Sequence, residues 1–158
     1  MGVRKKIYSN NEEIIVQIIS EAKVCHLSMV DLNGKPYTVP MNFGFIDNCF
    51  ILHSGPGGKK LELLVQNPHV CISLEINSKL FVRQEEVACS YSMLYQSVVA
   101  SGKLEFIEDP DEKRKLMNIV MKQYTQKDDY SYNNPAINNV VVMRVFCDAI
   151  TAHDRCIV

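Results

Sequence analysis

The chain switches between two hydrophobic rhythms, and the switches mark out its elements. Near the start Ile14, Ile15, Ile18 and Ile19 recur at helical spacing, which predicts a first helix ending near Ala22. Ser9 followed by Glu12 matches a capping box and sets its beginning. The rhythm then shortens. "VCHLSMV", "PYTVPMNFGFI" and "CFILHS" are rich in β-branched and aromatic residues and are separated by the turn signals "DLNG" and "DN", a pattern of antiparallel neighbours. "KKLELLVQN" returns to helical spacing and stops at Asn67 and Pro68, "HVCISLEI" reads as strand, and the chain loosens from Asn77 to Tyr91. After the long strand "SVVASGKLEFI", Asp109 is placed to cap a helix and Pro110 to open it, with Leu116, Ile119 and Val120 on one face up to about Tyr124. "KDDYSYNNP" reads as a polar loop and "VVVMRVFCDAIT" as a last strand. There is no repeat, low-complexity tract or linker. Residues 1–158 are therefore expected to form one domain, mainly β, with six antiparallel strands closed into a small barrel and helices on its periphery.

Composition leaves that picture standing and removes several function classes. A chain of 158 residues, 47% hydrophobic and 22% charged, has the balance of an ordinary soluble globular domain. No long uncharged apolar run would span a membrane. "MGVRKKIYSNNEE" has no apolar signal-peptide core behind it, so a cytoplasmic home is expected. A net charge of −1 gives no electrostatic argument for nucleic acid. The six cysteines are scattered through strand-like runs and read as reduced, buried thiols; neither a C-x-x-C nor a histidine pair at metal spacing is present.

Candidate chemistry concentrates in "HSGPGGKK", His53 to Lys60, which lies between an apolar strand and a helix. Glycines let a ligand approach the backbone, lysines supply positive charge, and a helix start offers unpaired N–H groups, so an anion site is one reading and a tight turn the other. It is not a Walker loop, because His53 stands where the first glycine should be and Lys60 occupies the hydroxyl position. Gly55, Gly57 and Gly58 do not have dinucleotide-fingerprint spacing either. Lysines at a helix start oppose the helix dipole, which favours an anion over a merely solvated end. His53, at a strand end, reads as a structural histidine or as a proton donor.

"PYTVPMNFGF", "FILHSGPGGKKLELLVQNPHVCISLE", "YQSVVASGKLEFIEDPDEKRKLMNIVMKQY" and "VVVMRVFCDAITA" together resemble the flavin-binding split β-barrel proteins related to pyridoxamine 5'-phosphate oxidase, and within them the nitroimidazole-resistance (Nim-type) branch. The resemblance implies a six-stranded split barrel holding FMN, with FAD possible. It assigns the flavin phosphate to Ser54, Lys59 and Lys60, counts His53 and Gly58 among the cofactor-binding residues, and lays Val39, Pro40, Met41, Asn42 and Phe43 along the isoalloxazine ring. It further implies that Gln96 and Ser97 reach the cofactor across a homodimer interface. The activity implied is a flavin-dependent oxidoreductase acting on a small molecule, a nitroimidazole or nitroaromatic reduced at the expense of a reduced nicotinamide or other donor, with His53 as the catalytic proton donor. The alternative is a flavin- or haem-binding carrier or sensor that turns nothing over. Two positions depart from the family pattern: Tyr91 stands where a tryptophan is expected ahead of "SM", and "TAHDR" replaces a Gly-Lys pair after the last strand.

Overall fold

The computed structural model describes residues 7–156, with side chains from Asn10 onward; the remaining positions of the expected 1–158 domain lie outside the described residues. A short strand β1 (Ile7–Ser9) leads into helix α1 (Glu12–Glu21). The cap of α1 is Asn11, whose side-chain oxygen accepts the Glu13 N–H, and not Ser9, which belongs to β1. Ile15, Ile18 and Ile19 form its buried face, as the spacing predicts. Strands β2 (Cys25–Val30), β3 (Pro36–Met41), β4 (Phe43–Ile46) and β5 (Cys49–Ser54) follow, then helix α2 (Lys59–Gln66) with Asn67 as its C-cap. Strand β6 (His69–Val82) is longer than the sequence suggests. Asn77 adopts a left-handed φ of 57° at a register shift between Ile76 and Lys79, and pairing then resumes to Val82, so only residues 83–90 connect β6 to β7 (Tyr91–Ile107). Helix α3 (Pro110–Thr125) starts as expected, with the Asp109 carboxylate accepting the Glu112 N–H at 2.7 Å. The expected polar loop contains a short helix α4 (Asn134–Asn139), capped by Asn133, before the final strand β8 (Val141–Asp154).

The eight described strands lie in one antiparallel sheet of order β3-β2-β6-β7-β8-β5-β4, with β1 paired to β8. All six expected strand segments are present; the count rises because β1 was not foreseen and because "PYTVPMNFGFI" divides at Asn42. Up to Met41 this segment pairs with β2, and from Phe43 it pairs with β5. The two edges of the sheet are therefore consecutive stretches of one chain, joined through Asn42. β3 and β4 do not pair with each other, so the sheet is not closed as expected; that gap is the split in the barrel.

Two apolar clusters hold the sheet. Phe50 and Leu52 of β5 point into the larger one with Leu27, Phe43, Ile72, Leu74 and Met143, all 0–1% exposed. Cys49 and Ile51 point the other way, into a cluster with Val142, Leu116 and Val120 beneath α3. A strand covered on both faces explains why "CFIL" is an unbroken apolar run. Helix α3 sits directly on Gly44, where a Cβ would lie 2.8 Å from the Ile119 and Val120 backbone. Gln123 of α3 caps α1, its amide donating to the carbonyls of Ile19, Ser20 and Ala22 at 2.9–3.3 Å. Among the described residues no helix is long and apolar enough to cross a membrane.

Candidate functional site

The end of β5 sets the first side chains. His53 and Ser54 pair with Val142 and Val141 of β8, and both are half-buried. His53 Nδ1 is shielded from solvent and has no hydrogen-bond partner among the described residues. Buried polar atoms are ordinarily satisfied, so this nitrogen is a candidate to meet a ligand's polar group. Burial pushes the imidazole below its usual range, and the Lys60 ammonium pushes it further the same way. The Ser54 hydroxyl also bonds no described residue.

The glycine loop then turns into α2. Gly57 and Gly58 have φ of 83° and 95°, backbone that disfavours any other residue, and Gly58 serves as the N-cap with no side chain to accept the first N–H groups. The Leu61 N–H bends back to the Gly58 carbonyl at 3.0 Å. The space beside Gly55, Gly57 and Gly58 is open, with no atom within 4 Å of where a Cβ would stand. Lys60 is half-buried, and burial lowers its pKa. Lys59 is exposed and rests its ammonium 4.5 Å from the centre of the Tyr37 ring. No described carboxylate forms an ion pair with either lysine. An orphan imidazole nitrogen, an open glycine turn and uncompensated cations fit a phosphate group.

On the edge strand β3 the alternation is clear: Pro40 faces out, Val39 and Met41 face in, and Asn42 at the split is exposed. Phe43 is 0% exposed, and its N–H donates to the Tyr124 hydroxyl at 3.0 Å. Its ring packs in the core and is not available to cover a ligand. Pro40 and Asn42 are the members of this segment whose side chains face outward.

Gln96 and Ser97 sit elsewhere. Gln96 lies opposite Asp154, whereas His53 lies opposite Val142, about 12 residues or at most roughly 40 Å back along β8. Within the chain the two sets therefore pair with opposite ends of β8. The Gln96 amide is held at both ends, accepting from Asn77 at 2.9 Å and donating to Asp154 at 2.9 Å, which leaves one N–H free to meet a ligand. Beside it Tyr95 packs edge-on to His153 and under the Arg155 guanidinium. Sequence reasoning missed Tyr37, Asn77 and Asp154 as partners of site residues. Asp154 stands in the departing "TAHDR" segment, which was the one available signal.

Another cleft, about 580 Å³, lies between α3 and β4 around Phe45, Ile119, Lys115 and Lys122. Several of its polar groups are engaged structurally: Lys122 pairs with Asp128 at 2.8 Å, and the Asn118 and Gln123 amides hold neighbouring backbone. No cluster of three or more metal-ligating side chains occurs among the described residues.

An antiparallel sheet split at Asn42, with an anion-ready loop after β5, defines a protein of the split-barrel class. The chain belongs to the pyridoxamine 5'-phosphate oxidase family, whose model matches residues 11–154. Among solved structures it is similar to a proposed 5-nitroimidazole antibiotic resistance protein from Bacteroides thetaiotaomicron, at 42% identity over 94% of this chain and 87% of that one, with a TM-score of 0.83. An FAD- and haem-binding protein from Mycobacterium smegmatis shares the fold at 16% identity and TM-score 0.82, over 94% of this chain and 73% of that one. An FAD-binding protein from Mesorhizobium loti does so at 19% identity and TM-score 0.66, over 94% and 97%. No curated protein matches the sequence.

Proposed function

We propose that this chain is a flavin-dependent oxidoreductase whose cofactor phosphate is held by the His53–Lys60 loop, in a homodimer that completes each site with Gln96 and Ser97 of the second copy. The observation that carries the reading is the buried, unpartnered His53 Nδ1 beside Lys60 and an uncapped helix start. A phosphate would supply an acceptor for His53 and offset the Lys60 charge that disfavours the imidazolium. Pro40 and Asn42 line the approach from the barrel edge, and the Gln96 amide, fixed by Asn77 and Asp154, presents its remaining N–H from the partner.

A bound flavin would supply electron transfer from a reduced nicotinamide or similar donor to a small acceptor. The protein's own part is to bind, orient and desolvate. His53 is pushed toward its neutral form at pH 7, so it serves first as a hydrogen-bonding group for the cofactor; a proton-donating role requires the phosphate to raise its pKa again. The acceptor favoured is a nitroimidazole or nitroaromatic, on the strength of 42% identity to the Bacteroides protein. Purified protein with a flavin spectrum, incubated with reduced nicotinamide and a nitroimidazole, should consume both. Flavin without turnover would point to a carrier or sensor, and a colourless protein that takes up no added flavin would end the reading.

A further inference from the structure

The cleft between α3 and β4 lies along the edge strand that the split leaves uncovered. β4 pairs only with β5, and on its free side the Phe43 N–H is taken by the Tyr124 hydroxyl of α3. Outward-facing backbone groups recur at every second residue of an antiparallel strand, so the Phe45 N–H and carbonyl face that same free side. No other strand and no described side chain bonds them. They border a cleft of about 580 Å³, a size ordinary for a small-molecule site, to which Phe45, Ile119 and the 41% exposed Ile46 give apolar surface.

Charge gives the cleft a direction. Lys115, Ile119 and Lys122 follow one face of α3, with the two lysines about 10 Å apart along its axis. Lys122 is neutralised by Asp128, whereas Lys115 makes no ion pair or hydrogen bond among the described residues. An anionic group is therefore drawn to the Lys115 end and repelled by Asp128 at the other. Shape adds a second constraint: α3 closes onto Gly44 with no room for a methyl group, so the adjoining cleft narrows to a slot that suits a flat ring.

We infer that this cleft is a binding site for a small aromatic carboxylate, its ring against Phe45, Ile46 and Ile119 and its carboxylate held by the Lys115 ammonium and the edge N–H of Phe45. The site shares no lining residue with the His53–Lys60 loop and is independent of the flavin reading.

Titrating the full chain with 2-naphthoate and with its neutral analogue 2-naphthamide tests it, with affinities from calorimetry and the location from nitrogen-15 NMR. Wild type should bind one naphthoate per chain, about tenfold more tightly than the amide. Lys115→Gln should erase that preference by weakening naphthoate alone, and Lys115→Glu should reverse it. In wild type the Phe45 and Ile46 amide signals should shift in step with saturation while those of Gly57 and Gly58 stay still. Lys115 is exposed, so both variants should melt like wild type by circular dichroism, and Lys115→Met replaces either that does not fold. Equal affinities for the two ligands in wild type, an unchanged preference in Lys115→Gln, shifts centred on the His53–Lys60 loop, or no saturable binding would each overturn the inference.

Discussion

The Tyr124 hydroxyl accepts the Phe43 N–H at 3.0 Å and donates to the Lys23 carbonyl at 3.0 Å. Phe43 is the first residue after the split, where the chain leaves β2 and joins β5. One phenol thereby fixes the strand switch to the end of α1. Tyr124→Phe should destabilise the fold by about 1–2 kcal/mol, since it removes both bonds and keeps the ring. Urea unfolding measures the loss; a midpoint equal to wild type would show that the hydroxyl does not pin the split.

Gly44 should tolerate no side chain. Its Cβ would stand 2.8 Å from α3 backbone, which cannot rotate away as a side chain could. Gly44→Ala is expected to cost about 1–3 kcal/mol through displacement of the helix, again read from urea unfolding. A neutral substitution would mean that α3 is only loosely seated.

The depressed His53 pKa ties stability of the flavin-free protein to pH. An imidazole harder to protonate in the fold than in the unfolded chain imposes no penalty above its unfolded value near 6.5, and an increasing one as pH falls through that value toward the folded pKa. Apoprotein should therefore lose stability between about pH 7 and 5, and His53→Gln should lack that component. Unfolding free energies measured across this range decide; parallel curves for the two proteins would remove the linkage.

All six thiols are free, but they are not equal. Burial pushes Cys25 up to about 12 and Cys147 up to about 11 and also raises Cys49, whereas Cys89 is exposed between β6 and β7. At pH 8 a maleimide or iodoacetamide should label Cys89 first and Cys25 last, as followed by peptide mass spectrometry. Early labelling of Cys25 would indicate that the β2 core opens readily.

Much of this was legible in the sequence. Strand segments and α2 and α3 announce themselves because each buries one face, and the period of that face is written in residues such as Leu116 and Val120 or Cys25 and Leu27. What periodicity could not give is the change of partner within a segment. "PYTVPMNFGFI" carries strand-like residues throughout, and only tertiary pairing shows that Asn42 divides it. The continuation of β6 past Asn77 was hidden for a similar reason, since a left-handed residue within a ladder looks like a loop. The loop after β5 was readable from its glycines and lysines, but the contact of Lys59 with Tyr37 was not, because it depends on Tyr37 lying on a strand distant in sequence.

A shared site makes a prediction that mixing can check. Lys60→Ala and Gln96→Ala each damage every site of a homodimer, yet a heterodimer of the two variants contains one site with both damaged and one with both residues intact. Unfolding and refolding an equal mixture should restore flavin to about a quarter of all sites, since half the dimers are mixed and each has one whole site. Flavin content no greater than that of the separate variants would show that the two residues do not combine across subunits.

The central claim is that the His53–Lys60 loop holds a flavin by its phosphate, and a comparison of riboflavin with FMN on the same apoprotein tests it most directly. The two ligands differ by that phosphate alone. Binding through charge-assisted bonds from Lys60, His53 and the start of α2 predicts FMN affinity at least about a hundredfold above that of riboflavin. Equal affinities, or binding of neither, would contradict it.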